Sequence, residues 1–156
     1  MRILVTGSVL TEVLKLEYEV TGYDIGFFKD SALTKTVELD KQIYKDIRDI
    51  SEKDIEGADY IIHLAALSND PLGELNPDLT KEINFEATKK LALLAKKVGV
   101  KRLIYVSSQS MYGISDTSKE VDEINSEKNP VTEYAKTKWD AELFMKDLHD
   151  DNFFTV

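Results

Sequence analysis

No cysteine occurs anywhere in the 156 residues, which excludes disulfides and thiolate chemistry and leaves the redox compartment unreadable from this residue. Histidine is nearly as scarce: His63 and His149 are the only two, which speaks against a histidine-based metal site. Basic residues are outnumbered, with 20 Lys and Arg against 29 Asp and Glu and a formal net charge of -9. Nucleic acid and anionic membrane both need a basic face, so neither is an expected partner. An anionic ligand must instead be held by local dipoles and a few selected cations. Long hydrophobic runs are missing too; the longest is far too short to span a bilayer. There is no internal repeat and no low-complexity tract. What is present, 42% hydrophobic and 31% charged residues, reads as one soluble domain with a real core. Met1-Arg2-Ile3-Leu4-Val5 reads directly as a strand, so no signal peptide and a cytoplasmic location are expected.

Short apolar runs alternate with longer helical patterns. Arg2 to Thr6 is a strand ending at Gly7, and Val9, Leu10, Val13 and Leu14 then repeat at helical spacing. Tyr18 to Asp24 is a second strand and Gln42 to Lys45 a short third. Asp59 to Leu64 is a fourth, continuous and apolar as a strand buried on both faces should be. A loop holding Asn69, Asp70, Pro71, Gly73 and Pro77 is expected next. Ile83, Ala87, Leu91, Leu94, Ala95 and Val98 mark one face of a long helix, with Gly99 as its C-terminal cap. Lys101 to Ser107 is another strand, and residues 113–130 are polar and loop-like. Thr132 can cap a helix carrying Ala135, Trp139, Leu143 and Leu148. Phe153 to Val156 begins a last strand. This alternation predicts an α/β fold: a Rossmann-like doubly wound parallel sheet filling residues 1–156, cut before a separate substrate domain.

Three features carry chemistry. Tyr134 and Lys138 are four apart and share one helical face. A phenol titrates near pH ~10, and an adjacent ammonium favours its phenolate. A depression of about 3 pH units corresponds to roughly 4 kcal/mol and would let Tyr134 take a proton from a hydroxyl near neutral pH. The competing reading is an exposed pair on an amphipathic helix. Val106-Ser107-Ser108-Gln109-Ser110-Met111-Tyr112-Gly113 follows a strand directly, where the carboxyl ends of a doubly wound sheet face the ligand crevice. A serine there can hydrogen-bond a reacting hydroxyl; otherwise it merely ends the strand. Asp24 closes the second strand, where a carboxylate can accept from both ribose hydroxyls of an adenosine and repel a 2′-phosphate. Its alternative is a solvated turn residue.

Together with Ile3-Leu4-Val5-Thr6-Gly7, Asp46-Ile47-Arg48-Asp49, His63-Leu64-Ala65-Ala66 and Asn84, these features make the chain resemble the NAD-dependent epimerase/dehydratase group of extended short-chain dehydrogenases/reductases. The resemblance covers essentially the whole chain. It implies NAD as cofactor and a nucleoside-diphosphate sugar as substrate, rearranged through a keto intermediate. It assigns Tyr134 as catalytic acid/base and Lys138 as the lysine that lowers the tyrosine's pKa and bonds the nicotinamide ribose. Ser108 takes the catalytic serine position, with Ser107 its neighbour and fallback. Asp24 resembles the adenosine-ribose acceptor. Asp46 and Ile47 resemble the adenine-contacting pair, Asp46 through its carboxylate and Ile47 by packing or its backbone. Gly7, Ala65 and Ala66 resemble small residues that let the cofactor lie close. Asn84 resembles the asparagine that orders neighbouring strand ends, and His63 reads as a core or strand-end residue. The group often dimerises through helices corresponding to about 82–98 and 132–149, so a homodimer of the full-length protein is also implied.

The chain departs from the group twice. Dehydratases usually carry an acidic pair just after the catalytic Ser or Thr; Gln109 and Ser110 stand there, which favours epimerisation or simple redox chemistry. The group also reads Thr-Gly-x-x-Gly-x-x-Gly at the first turn, against Thr6-Gly7-Ser8-Val9-Leu10 here, about six residues shorter. Those glycines let backbone approach a pyrophosphate, and a helix N-terminus supplies N–H donors. Gly7 to Glu17 is about eleven residues, near the minimum for a parallel crossover. The fold is therefore expected to survive without the phosphate cradle. Two alternatives stay open: the chain lacks the loop, or the native protein has it. In function, the competing reading is a non-catalytic, degenerate Rossmann fragment or binding module.

Overall fold

The computed structural model describes residues 1–7, 11–31, 38–68, 70–114 and 120–156, with Leu72 described by backbone alone. Ser8, Val9 and Leu10, assigned above to the first turn and helix, and Asn69, assigned to the loop, lie outside the described residues.

Six strands form one sheet: β1 (Arg2–Thr6), β2 (Glu19–Asp24), β3 (Lys41–Tyr44), β4 (Tyr60–His63), β5 (Arg102–Tyr105) and β6 (Phe154–Thr155). Their order is β3-β2-β1-β4-β5-β6, and every neighbouring pair is parallel. This is the doubly wound arrangement expected from the strand–helix alternation. The helices are α1 (Thr11–Leu14), α2 (Glu52–Ile55), α3 (Asp70–Leu75), α4 (Pro77–Lys81), α5 (Ala87–Lys97) and α6 (Glu133–Leu148).

Register puts Leu4 beside Ile61 and Ile61 beside Leu103, so these three share one face. They pack with Leu91, Ala92 and Ala95 of α5 and Ala141 and Met145 of α6 in the main core. Ile3, Val5 and Val20 point to the other face, where Leu14 and Tyr18 pack against them. Helix α6 starts where Thr132 Oγ1 accepts from Ala135 N at 3.2 Å. Helix α5 ends in a Schellman motif: Gly99 has φ +82°, its N–H reaches Lys96 O, and Val100 N–H reaches Ala95 O.

The segment around Pro71 and Pro77 is not a loop. It forms α3 and α4, because a proline in the first turn of a helix forfeits no needed N–H. Asn76 caps α4 by accepting from Leu79 N. Between α4 and α5 the helix widens into a π turn over Glu82–Glu86, where Ala87 N–H bonds Glu82 O.

Candidate active site

The strand order reverses between β1 and β4, and at the carboxyl end of that junction sits Gly7. Its φ of +77° is unfavourable for other residues, and its N–H bonds Tyr23 O at 3.0 Å. A Cβ there would stand 3.0 Å from Ala65 N and 3.2 Å from the Leu64 carbonyl carbon. Thr6 Oγ1 meets His63 Nδ1 at 2.6 Å, and His63 Nε2 meets Thr88 Oγ1 at 2.8 Å. Burial and the Lys138 charge lower the His63 pKa to about 3. His63 is thus a neutral core histidine joining two strand ends to α5. Ala65 and Ala66 are half-buried just beyond it.

On the β2–β3 side, Asp24 Oδ1 accepts from Gly26 N at 2.7 Å, leaving its second oxygen for other donors. Tyr23 turns the opposite way, into the core, and its hydroxyl donates to Asp46 O at 2.9 Å. The end of β2 and the Asp46–Ile47 turn are therefore fastened together. The Asp46 carboxylate caps the turn through Arg48 N and grips the Arg48 guanidinium, with Nη2 to Oδ2 at 2.7 Å. That guanidinium holds the Asp46 carboxyl below its ordinary pKa. Arg48 also reaches Glu82 at 3.2 Å. The Ile47 side chain is buried in the main core.

The other end of the crevice is built by β5 and α6. Tyr134 is half-buried on the first turn of α6. Lys138, one turn on, is only 3% exposed. It is not a surface lysine. Its ammonium donates to Val106 O and lies 4.2 Å from the Tyr105 ring centroid. Burial lowers its pKa to about 8. Ser108 caps the 3-10 turn Gln109–Tyr112: its Oγ accepts from Ser110 N at 3.2 Å and donates to Ser110 Oγ at 3.0 Å. Ser107 donates to Glu142 Oε2 at 2.8 Å. Asn84, 1% exposed, bonds both backbone groups of Leu67 and approaches Thr137 Oγ1 at 3.5 Å, tying the segment after β4 to α6.

Several members of this constellation escape a reading of the chain alone. Glu142 had a faint signal, lying four positions after Lys138 on the same helical face. Thr6 stood in the Thr-Gly turn with no sign of its histidine partner, and Thr88 and Tyr105 had no signal, because hydroxyls and aromatics inside core elements look like ordinary packing. Among the described residues no group of three or more His, Cys, Asp or Glu could hold a metal ion, and no helix is long and apolar enough to cross a membrane.

The chain is 29% identical over 147 residues to UDP-glucose 4-epimerase from Bacillus subtilis, covering 93% of this chain and 39% of that one. It is 33% identical over 101 residues to human dTDP-D-glucose 4,6-dehydratase, covering 65% and 28%. The fold superposes on dTDP-glucose 4,6-dehydratase from Streptomyces venezuelae, solved with NAD bound, with a TM-score of 0.80 and 25% identity. That match covers 96% of this chain and 52% of that one. The chain thus spans well under half the length of these curated relatives and about half of the solved structure. Residues 5–156, nearly the whole chain, match the NAD dependent epimerase/dehydratase family, and the chain belongs to that family.

Proposed function

We propose that residues 1–156 are the nucleotide-binding part of an enzyme that uses NAD to rearrange a nucleoside-diphosphate sugar through a keto intermediate, by epimerisation or a related redox step. The observation that carries this reading is Lys138, buried without a carboxylate partner among the described residues, one helical turn from Tyr134 and beside the Ser107-Ser108 turn. A protein keeps an unpaired ammonium buried at a crevice when it has work there. Bound NAD would supply the hydride acceptor and donor. Lys138 holds Tyr134 as its phenolate, which takes the proton of the sugar hydroxyl and becomes the neutral phenol. Ser108 hydrogen-bonds the same hydroxyl after giving up its bond to Ser110. Gln109 and Ser110, in place of an acidic pair, support epimerisation or simple redox chemistry over loss of water.

The residues present suit the two nucleosides of NAD better than its pyrophosphate. Asp24 keeps a carboxylate oxygen for a ribose, and the Asp46–Ile47 turn lies beside it, tied to β2 through Tyr23. Gly7 alone answers to the family's three turn glycines. The exposed Leu93 of α5 and Leu143 of α6 support pairing of two copies through these helices. A cytoplasmic site of action accords with the soluble composition. The second reading, a non-catalytic binding module, is favoured by one observation: among the described residues, α1 is a single turn.

The test joins residues 1–156, with a Gly-x-x-Gly-x-x-Gly turn restored after Thr6, to the second half of the Bacillus subtilis relative. Interconversion of UDP-glucose and NAD binding are then measured together. Tyr134→Phe is expected to lower turnover by about 10²–10⁴-fold while NAD binding persists. Turnover that survives this substitution would assign the pair a purely structural role.

A further inference from the structure

Tyr105 closes β5 with its side chain on the helix-covered face, 7% exposed. Its hydroxyl oxygen is the one buried side-chain polar atom among the described residues with no hydrogen-bond partner. An unpaired buried hydroxyl is destabilising, and phenylalanine would fill the same space without that penalty. The ring, by contrast, is well used: Lys138 Nζ stands 4.2 Å above its centroid while donating to the carbonyl of the very next residue, Val106. Three other titratable groups adjoin this pair. Tyr134 and Glu142, on α6, both act electrostatically on the Tyr105 phenol, and His63, on β4, feels the Lys138 charge. The His63 ring lies 5.9 Å from the Tyr105 ring. Glu142 is engaged by Ser107 and Lys146, and His63 is neutral, so among the described residues no anion pairs with the Lys138 ammonium.

We infer that Tyr105 is a positioning residue whose ring face holds the Lys138 ammonium in place and in its charged form, one helical turn from Tyr134. A buried ammonium with one carbonyl acceptor would otherwise shed its proton or swing toward water. The negative face of an aromatic ring attracts a cation without a counter-charge and without lending a proton. Burial pulls the Lys138 pKa down toward about 8, and the ring opposes that pull. Tyr105 thereby sets the pH range in which Tyr134 has a cationic neighbour. The functional importance of this rests on the proposed role of Tyr134 and Lys138, but the contact itself does not.

The test is a ¹³C NMR titration of the Lys138 ε-carbon in the 156-residue chain. The wild-type midpoint is expected between about 8 and the ordinary 10.5. Tyr105→Phe, which keeps the ring, should leave it in place. Tyr105→Leu should lower it by about half a unit to one and a half units, the range of a cation–π contact expressed as a pKa. Should Tyr105→Leu fail to fold, phenylalanines carrying increasing numbers of ring fluorines at 105 keep the volume and weaken the ring face. Each added fluorine should then lower the midpoint further. A Lys138 midpoint indifferent to leucine in a folded chain, or to fluorination, overturns the inference. So does a midpoint that falls equally with Phe and Leu, since the hydroxyl would then be the active part. None of these outcomes depends on catalysis, so they stand apart from loss or survival of turnover in Tyr134→Phe.

Discussion

Two crossovers in this sheet solve the same problem with very different amounts of chain. From β4 to β5 the chain runs through α3, α4, the π turn and α5, and it buries Leu91, Ala92 and Ala95 completely. From β1 to β2 the described residues hold one helical turn, and Val13 and Leu16 of that connection are 73% and 80% exposed. Yet β1 and β2 pair in full register from Arg2 opposite Glu19 to Thr6 opposite Tyr23, and Val5 and Val20 are fully buried. Strand pairing and β-branched side chains suffice to place the second strand. Binding a pyrophosphate needs more: a row of unpaired N–H groups at the start of a longer helix. Folding and ligand capture thus make separable demands on one crossover, and the short one meets the first.

The widest gap between the two crossovers should appear in cofactor binding. The chain as it stands is expected to bind NAD at millimolar strength or weaker by titration calorimetry. Two or three missing charge-assisted hydrogen bonds at roughly 1.5–3 kcal/mol each account for the deficit. Inserting Gly-x-x-Gly-x-x-Gly after Thr6 should recover several kcal/mol, toward micromolar affinity. Micromolar binding without the insertion would erase the contrast.

Stability gives the next largest contrast. Leu91→Ala, on the thick side, should cost about 2–5 kcal/mol in urea unfolding. Leu14→Ala, on the half-buried single turn, should cost less than about 1.5 kcal/mol. Equal losses would mean that the short crossover is as well packed as the long one.

Lys138→Met sharpens the comparison from the catalytic side. The folded-state pKa of about 8 lies below the ordinary 10.5, so between these values the unfolded chain binds more protons and wild-type stability rises with pH. Below about pH 8 the folded state bears the full penalty of a buried ammonium. Methionine removes it, so the variant should unfold later at pH 7 by up to about 3 kcal/mol, less the lost Val106 and Tyr105 contacts. The advantage should shrink as the pH rises toward 10.5. A variant less stable at pH 7 would mean that those contacts outweigh desolvation.

The smallest effect concerns the adenosine end. With the turn restored, Asp24→Ala should weaken NAD by about 1–3 kcal/mol and erode preference over NADP. Its loss of the Gly26 bond can be separated by Asp24→Asn, which keeps an acceptor and loses the charge. A wild-type preference for NADP would remove Asp24 from the ribose-acceptor role.

Much of this was legible in the order of residues. All six strands, α6 with its Thr132 cap and the Gly99 terminus follow from apolar periodicity and capping chemistry. Tyr134 and Lys138 were legible as a pair because four-residue spacing is a local property of a helix. What Lys138 touches was not, since Val106 and Tyr105 arrive from β5 through sheet packing. Pro71 and Pro77 misled because proline breaks a helix in its interior and starts one at its first turn. The Asp46–Arg48 grip was hidden for another reason: in a chain with this many charges, pairing is decided by turn geometry.

The π turn at Glu82–Glu86 behaves as a one-residue insertion in an otherwise regular helix. Deleting a residue there would rejoin α4 and α5 into one continuous spiral with better hydrogen bonds. The same deletion would rotate everything on one side of it by about 100°. Asn84 sits inside that turn, aimed at Leu67 and Thr137, and Arg48 finds Glu82 at its start. A designer who idealised this helix would obtain a sturdier rod whose asparagine no longer faces the strand ends. The irregularity is a phase shifter, setting the angular offset between the half of the helix that addresses the crevice and the half that packs the core.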